Sequence, residues 1–169
     1  MKKDSYPFLI VLVLSGLSII FISVLWNVEV RRVTFLYSST IRCSILWGLV
    51  IAIPVYCFFV RKIKKKIKSP VDYIKFFVAI GAFSAITVLF TAVTMTYYLP
   101  GVTSSYTTHY KYSERTGKGD CSGGIVEDPD LGEIKICYPA GNYSFDNYIY
   151  VEKRSNHFGA VVTYAITHP

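Results

Sequence analysis

The side chains able to do chemistry in this chain are few and scattered. Its three histidines, His109, His157 and His168, are far apart, and none has a partner at metal-ligand spacing. The four cysteines fall into two pairs, Cys43 with Cys57 and Cys121 with Cys137. A zinc site would need the second pair reduced, which an oxidising compartment opposes. The glycine-rich stretch ERTGKGDCSGG, from Glu114 to Gly124, lacks the G-x-x-x-x-G-K-[ST] order of a phosphate-binding loop. No serine stands in a G-x-S-x-G setting. With no nucleophile–base pair to name, the sequence points away from an enzyme and implies no cofactor, metal or small-molecule substrate.

Two groups of residues suit binding instead. Glu127, Asp128, Asp130 and Glu133 lie between the second pair of cysteines and lack the D-x-[DN]-x-[DN]-G order of a calcium loop. They read as a solvated acidic turn, and Glu127, Asp128 and Asp130 offer a contact surface to a basic partner. The second group is Ser84, Thr87, Thr91, Thr94 and Tyr98, spaced i, i+3, i+7, i+10, i+14, which places all five on one helix face. Gly81 and Ala85 add a small-xxx-small pair beside it, and Ser15, Gly16 and Ser18 form a small patch nearer the N-terminus. Small and hydroxylated faces let membrane helices approach closely and exchange hydrogen bonds worth about 0.6–2 kcal/mol each. The stripe therefore either packs the protein's own helices or, at Ser84, Thr87, Thr91 and Thr94, receives a helix from another protein.

The elements that must position these residues are set by three uncharged segments. Residues 7–26 run 20 positions without a charge, residues 43–60 run 18, and residues 76–99 run 24. About 20 apolar residues span a bilayer core as a helix. The second segment is the shortest and contains Pro54, so a buried or re-entrant helix is its alternative reading. The first resembles a signal peptide in its basic start, but its core is too long and no A-x-A-like site follows, so an uncleaved anchor is expected.

Charge orients the segments. Residues 1–100 carry 12 Lys+Arg against 3 Asp+Glu, whereas residues 101–169 carry 6 against 8. The basic excess thus belongs to the apolar half, which speaks for a membrane and against nucleic acid. Residues 61–68 alone hold six basic side chains, and Lys75 makes seven in the loop 61–75. Such loops stay cytoplasmic, and Lys2 and Lys3 put the N-terminus on the same side. The lysines either fix topology only or also engage anionic headgroups at about 1 kcal/mol each. Residues 27–42 and the C-terminal region are then expected outside, with Tyr6 and Tyr73 at the inner boundary and Trp26, Trp47, Tyr97 and Tyr98 at the outer one.

After Pro100 and Gly101 the composition turns to Tyr, Thr, Ser, Gly and Asn. Alternation at Tyr106–Tyr112, Ile134–Tyr138 and Tyr148–Val151, with a final β-branched run GAVVTYAITH, predicts a small antiparallel β domain of four or five strands. The polar KRSNHF between the last two reads as a hairpin loop. In an oxidising compartment Cys121 and Cys137 would pair, closing a loop of a size worth roughly 3 kcal/mol. Cys43 and Cys57 would lie about 21 Å apart on one helix and are read as packing residues.

The expected fold is a membrane α-helical unit of three transmembrane helices (residues 1–100) carrying a C-terminal antiparallel β domain with one disulfide (residues 101–169). Its small size and short basic start suggest a bacterial inner membrane, with the domain periplasmic. Two functions fit: a binding protein such as an immunity protein against a membrane-targeted toxin, or an accessory subunit of an envelope complex. The implied partners are membrane lipid and another envelope or toxin protein.

Overall fold

The computed structural model describes residues 6–63, 70–117 and 120–169. Lys2, Lys3, the centre of the basic loop and the 118–119 step of the glycine-rich stretch lie outside these ranges. Three helices come first, and all three are long and apolar enough to cross a membrane. Helix α1, Tyr6–Trp26, runs on through a π-helical turn, Asn27–Arg31. Its serine hydroxyls return to carbonyls of their own helix, Ser15 to Leu12, Ser18 to Leu14 and Ser23 to Ile19. The helix thereby satisfies these polar groups without a neighbour, as an apolar surrounding demands.

Helix α2, Ser38–Ile63, starts ahead of the uncharged segment because the Tyr37 carbonyl accepts the Ile41 N–H at 3.0 Å and opens the first turn. It continues through Pro54 as one helix. Helix α3, Pro70–Tyr98, begins on a proline, whose missing N–H is no loss at a first helical position. These two helices pack closely at Gly48. A Cβ there would stand 2.5 Å from the Ala85 Cα, so the absent side chain is what lets the two backbones meet. Helix α1 is different. None of its apolar window is buried, and it meets α3 at Trp26, whose indole N–H donates to Thr94 Oγ1 at 3.0 Å and whose ring stacks on Phe90 at 4.0 Å.

The β domain follows as strands β2 (Val102–Ser113), β3 (Gly123–Asp128), β4 (Gly132–Cys137), β5 (Tyr148–Ser155) and β6 (Gly159–His168). A sixth strand, β1 (Thr34–Leu36), comes from the connection between α1 and α2, where no alternation marks a strand. The order is β1-β6-β5-β2-β3-β4, antiparallel throughout. Beyond β4 the chain returns to β6, where Ala140 donates to Ala165 O and accepts from Thr167 N–H, so the sheet nearly closes on itself. Inside lie Val126, Ile134, Ile136, Ile149, Val151 and Val162, with Phe35 of β1, Tyr106 and Tyr110 packed against them. Cys121 and Cys137 form the expected disulfide, Cα–Cα 5.6 Å, which ties the entry of β3 to the end of β4. Cys43 and Cys57 are free.

The hairpin loop expected over KRSNHF is shorter than its composition suggests. Lys153, Arg154 and Ser155 belong to β5, because the alternation of Ile149 and Val151 carries on through Lys153. The remaining turn docks on the helices. Asn156 Nδ2 donates to Thr96 O at 2.9 Å, and the Arg154 guanidinium donates to Tyr97 O. Both acceptors lie in the last turn of α3, whose carbonyls have no partner within the helix and favour a cation. On the other side of the turn, Tyr37 N–H donates to Phe158 O at 3.1 Å, so one loop holds the end of α3 and the start of α2 together.

Candidate functional site

The hydroxyl stripe of α3 divides into three parts. Ser84, beside Ala85, is buried. Thr94 receives Trp26 of α1. Thr87 and Thr91 remain exposed and line a groove of about 750 Å³ between α2 and α3. The stripe thus serves internal packing at Ser84 and Thr94 with an open surface between them, while Tyr98 at its far end is exposed.

The groove runs along α2 and α3 beside their close contact at Gly48 and Ala85, and the β5–β6 turn lines its upper end with His157 and Phe158. Along α2 its lining runs from Ser39 to Ile51, about 18 Å or just over three helical turns at 1.5 Å per residue. Trp47 and Met95 form its walls, and none of its lining side chains is Asp, Glu, Lys or Arg. Its polar groups fall into two kinds. The Thr87 and Thr91 hydroxyls donate to Phe83 O and Thr87 O of their own helix, both at 2.9 Å. Ser44, opposite on α2, is only 6% exposed as a residue and lines the groove.

The acidic candidates separate in a different way. Glu127 is exposed on β3, opposite Glu133. Asp130 is half exposed, but its Oδ2 already meets Lys153 Nζ at 2.6 Å. Asp128 does not belong to the outer surface: its side chain is fully buried, with Oδ1 2.6 Å from Lys153 Nζ. The same oxygen accepts the N–H groups of Asp130 and Leu131 at 2.9 and 3.0 Å, closing the β3–β4 turn. Burial alone would raise the Asp128 carboxyl, but the hydrogen bonds from Lys153 and the turn outweigh it and hold it below the usual carboxylate range. Burial would likewise lower Lys153, and the two aspartates outweigh it and raise the ammonium. Tyr106, 5.4 Å under that ammonium, is pushed up by burial first, then by hydrogen bonding to Asp128 and by the charges of Asp128 and Asp130. The acidic turn is therefore largely an internal ion-pair network that pins the β3–β4 turn to β5.

Lys153 and the α2 side of the groove are the residues that sequence reasoning missed. The two-residue period through Ile149, Val151 and Lys153 does mark the lysine as inward-facing. No such signal marks Cys43, Ser44 and Trp47, since their approach to Thr87 and Thr91 depends on how α2 pairs with α3. The three histidines stay apart, with His157 at the groove and His109 against Tyr148, ring centroids 4.0 Å apart. Among the described residues no three His, Cys, Asp or Glu side chains gather as metal ligands.

Comparison of the chain with protein-family models, with curated proteins and with solved structures found no match.

Proposed function

We propose that this chain is a non-enzymatic binding protein of a bacterial inner membrane, with α1, α2 and α3 spanning the bilayer. The N-terminus and the lysine-rich loop are cytoplasmic by the charge rule, and the β domain is periplasmic. The site is the groove between α2 and α3, which receives an uncharged membrane helix. The observation that carries this reading is the groove itself: three turns long, uncharged, and walled by Trp47, Met95 and Phe158. Immunity is the simplest form of it. A chain that neutralises a membrane-targeted toxin needs only to occupy one of the toxin's helices. The free disulfide-compatible environment required by Cys121 and Cys137 accords with a periplasmic domain.

The test is a co-culture of a deletion strain with its parent, complemented by wild type, Thr91→Leu or Thr87→Leu. Selective loss of the deletant, rescued by wild type and not by the two groove variants at equal protein level, is the expected result. Full rescue by both variants would remove the groove from the function.

A second reading has its own observation. Helix α1 leaves its apolar length uncovered, which suits an accessory subunit docked on a larger envelope complex. Equal survival in co-culture, with the chain's abundance falling when a membrane partner is deleted, would favour it.

A further inference from the structure

The seam where the sheet nearly closes is held open by two backbone irregularities that line one pocket. Val162 N–H donates to Val33 O at 2.8 Å, and three residues on, Ala165 O accepts the Ala140 N–H at 2.9 Å. In a regular strand only every second residue faces a given edge, so a step of three needs one extra residue. That residue is Thr163: Lys153 pairs with Val162 and Glu152 with Tyr164, which leaves Thr163 opposite nothing. Bulges of this kind gather at barrel rims and beside functional sites. Across the seam Tyr138, the residue after β4, is held at φ +47°, a left-handed backbone uncommon for any residue but glycine. Its N–H donates to Ser122 O at 3.1 Å. Tyr138, Thr163 and Tyr164 together line a pocket of about 220 Å³, with Ile136, Phe35 and Val162 among its apolar walls.

The pocket's other side is the end of the first helix. Val28 lies in the π-helical turn that extends α1, and Arg32 and Val33 follow that turn. Val28 stands two residues past Trp26, so the pocket begins where the uncharged run ends. In a bilayer that is the headgroup level, where tryptophan and tyrosine gather. Arg32 is the single charged residue of the lining. Among the described residues no acidic side chain pairs with it, since the three ion pairs all lie within the β domain.

We propose that this pocket seats the headgroup of an anionic phospholipid at the periplasmic surface, with the Arg32 guanidinium on the phosphate. The inference rests on α1 spanning the bilayer, and it gives the β domain a lipid contact of its own. Charge selects the ligand first: a lone cation in an otherwise uncharged lining calls for an anion, and a guanidinium forms strong charge-assisted bonds with phosphate. Position selects the source, because a pocket at the end of the apolar run faces lipid phosphates. Size selects the part that enters. At about 220 Å³ the pocket is smaller than the roughly 300–1,000 Å³ that takes a drug-sized ligand, so it admits a headgroup and leaves the acyl chains in the bilayer. Tyr138 and Tyr164, 50% and 46% exposed, flank it with amphipathic rings of the kind that sit at headgroup level. A seated lipid would tie the end of α1 to the seam between β4 and β6.

The test titrates the full-length protein, purified in mild detergent, with phosphatidylglycerol and follows it by native mass spectrometry. The expected result is one lipid retained per chain. Arg32→Gln should weaken retention about tenfold, as loss of a charge-assisted contact does. Arg31→Gln changes an exposed neighbour outside the lining and should leave retention as it is. Bound lipid should also slow hydrogen exchange across residues 136–140 and 162–166 in the wild type and not in Arg32→Gln. Equal losses in the two arginine variants would reduce the contact to general surface charge and overturn the proposal. Equal retention of phosphatidylcholine would overturn it too, since net lipid charge would then play no part. Displacement by an equal concentration of inorganic phosphate would assign the pocket to free phosphate and remove the lipid. Alkaline carbonate extraction separates this from the bilayer reading. Release of the chain from membranes would remove both, whereas a chain that stays in the membrane and retains no phosphatidylglycerol removes the headgroup site alone.

Discussion

Lys153 Nζ lies 2.6 Å from Asp128 Oδ1 inside the β domain, where the side chains of both residues are almost wholly out of solvent. The contact crosses from β5 to the end of β3 and is braced by Asp130. Removing one member leaves a buried charge without its counterpart, which costs about 3–5 kcal/mol. Removing both in favour of apolar side chains is often close to neutral. Asp128→Ala or Lys153→Met alone should therefore lower the Tm of the detergent-solubilised protein sharply. The double variant Asp128→Leu with Lys153→Met should recover most of it, and thermal unfolding followed by tyrosine signals reads both. Equal losses in single and double variants would show that the pair holds the turn by shape and not by charge.

The same pair fixes a pH profile. The folded Asp128 carboxyl sits below its ordinary value, so its contribution is present above the usual carboxylate pKa and is lost as pH falls through the depressed one. Lys153 is raised, so its contribution is present below the ordinary lysine pKa and is lost as pH rises through the raised value. This pair should thus add no pH dependence to the Tm between about pH 5 and 9, given ordinary carboxylate and lysine values. In Lys153→Met the largest opponent of burial is gone while the turn N–H groups and Tyr106 remain, so the depression of the Asp128 carboxyl shrinks. The stability that Asp128 contributes above the carboxylate range should shrink with it, and the Tm of the variant should fall less than that of wild type as pH is lowered through that range. A variant with the wild-type acid profile would mean that Asp128 finds another cation when the lysine is removed.

The contact between α2 and α3 gives a paired test. A Cβ on Gly48 would meet the Ala85 backbone at 2.5 Å, whereas a Cβ on Gly81 would meet only the Leu49 side chain at an ordinary 3.5 Å. Gly48→Ala must push α2 and α3 apart, at about 1–3 kcal/mol for an overpacked contact. Gly81→Ala should be close to neutral. The difference is measurable as loss of the folded fraction in graded denaturing detergent. Equal behaviour of the two variants would show that the helices slide past one another to accommodate the methyl group.

How far these features can be read from the sequence follows from the range of the interactions involved. The three helices are legible because runs of 18 to 24 uncharged residues leave few alternatives. The disulfide is legible because Cys121 and Cys137 are the two cysteines outside those runs. Strands β2 to β6 announce themselves by alternation. Strand β1 does not, since three residues between two helices, Thr34–Leu36, carry too short a pattern to register. Its place beside β6 is decided by the folded helices that deliver it. Asp128 read as a surface acid because acidic turns are usually solvated, and only the inward register of Lys153 shows otherwise. Half of the groove, Thr87 and Thr91, is visible as a period on one helix. The other half, Cys43, Ser44 and Trp47, depends on a pairing of two helices that no local period encodes.

The turn between β5 and β6 yields the last prediction. It holds α3 through Asn156 to Thr96 O at 2.9 Å, holds α2 through Phe158 O to the Tyr37 N–H at 3.1 Å, and lines the groove with His157 and Phe158. Asn156 also shapes the turn itself, since its Oδ1 accepts the Phe158 N–H at 3.0 Å. Asn156→Ala removes both side-chain bonds while leaving the strand pairing of β5 with β6 intact, so the β core should stay folded. A hydrogen bond of this kind is worth about 0.5–1.5 kcal/mol, enough to speed local opening several-fold without unfolding the domain. Hydrogen exchange should accelerate in peptides covering residues 34–41 and 94–101 and remain unchanged across residues 147–152. Faster exchange in all three would mean that the turn supports the whole barrel. Unchanged exchange in all three would mean that Arg154, through Tyr97 O, holds the domain on α3 without help.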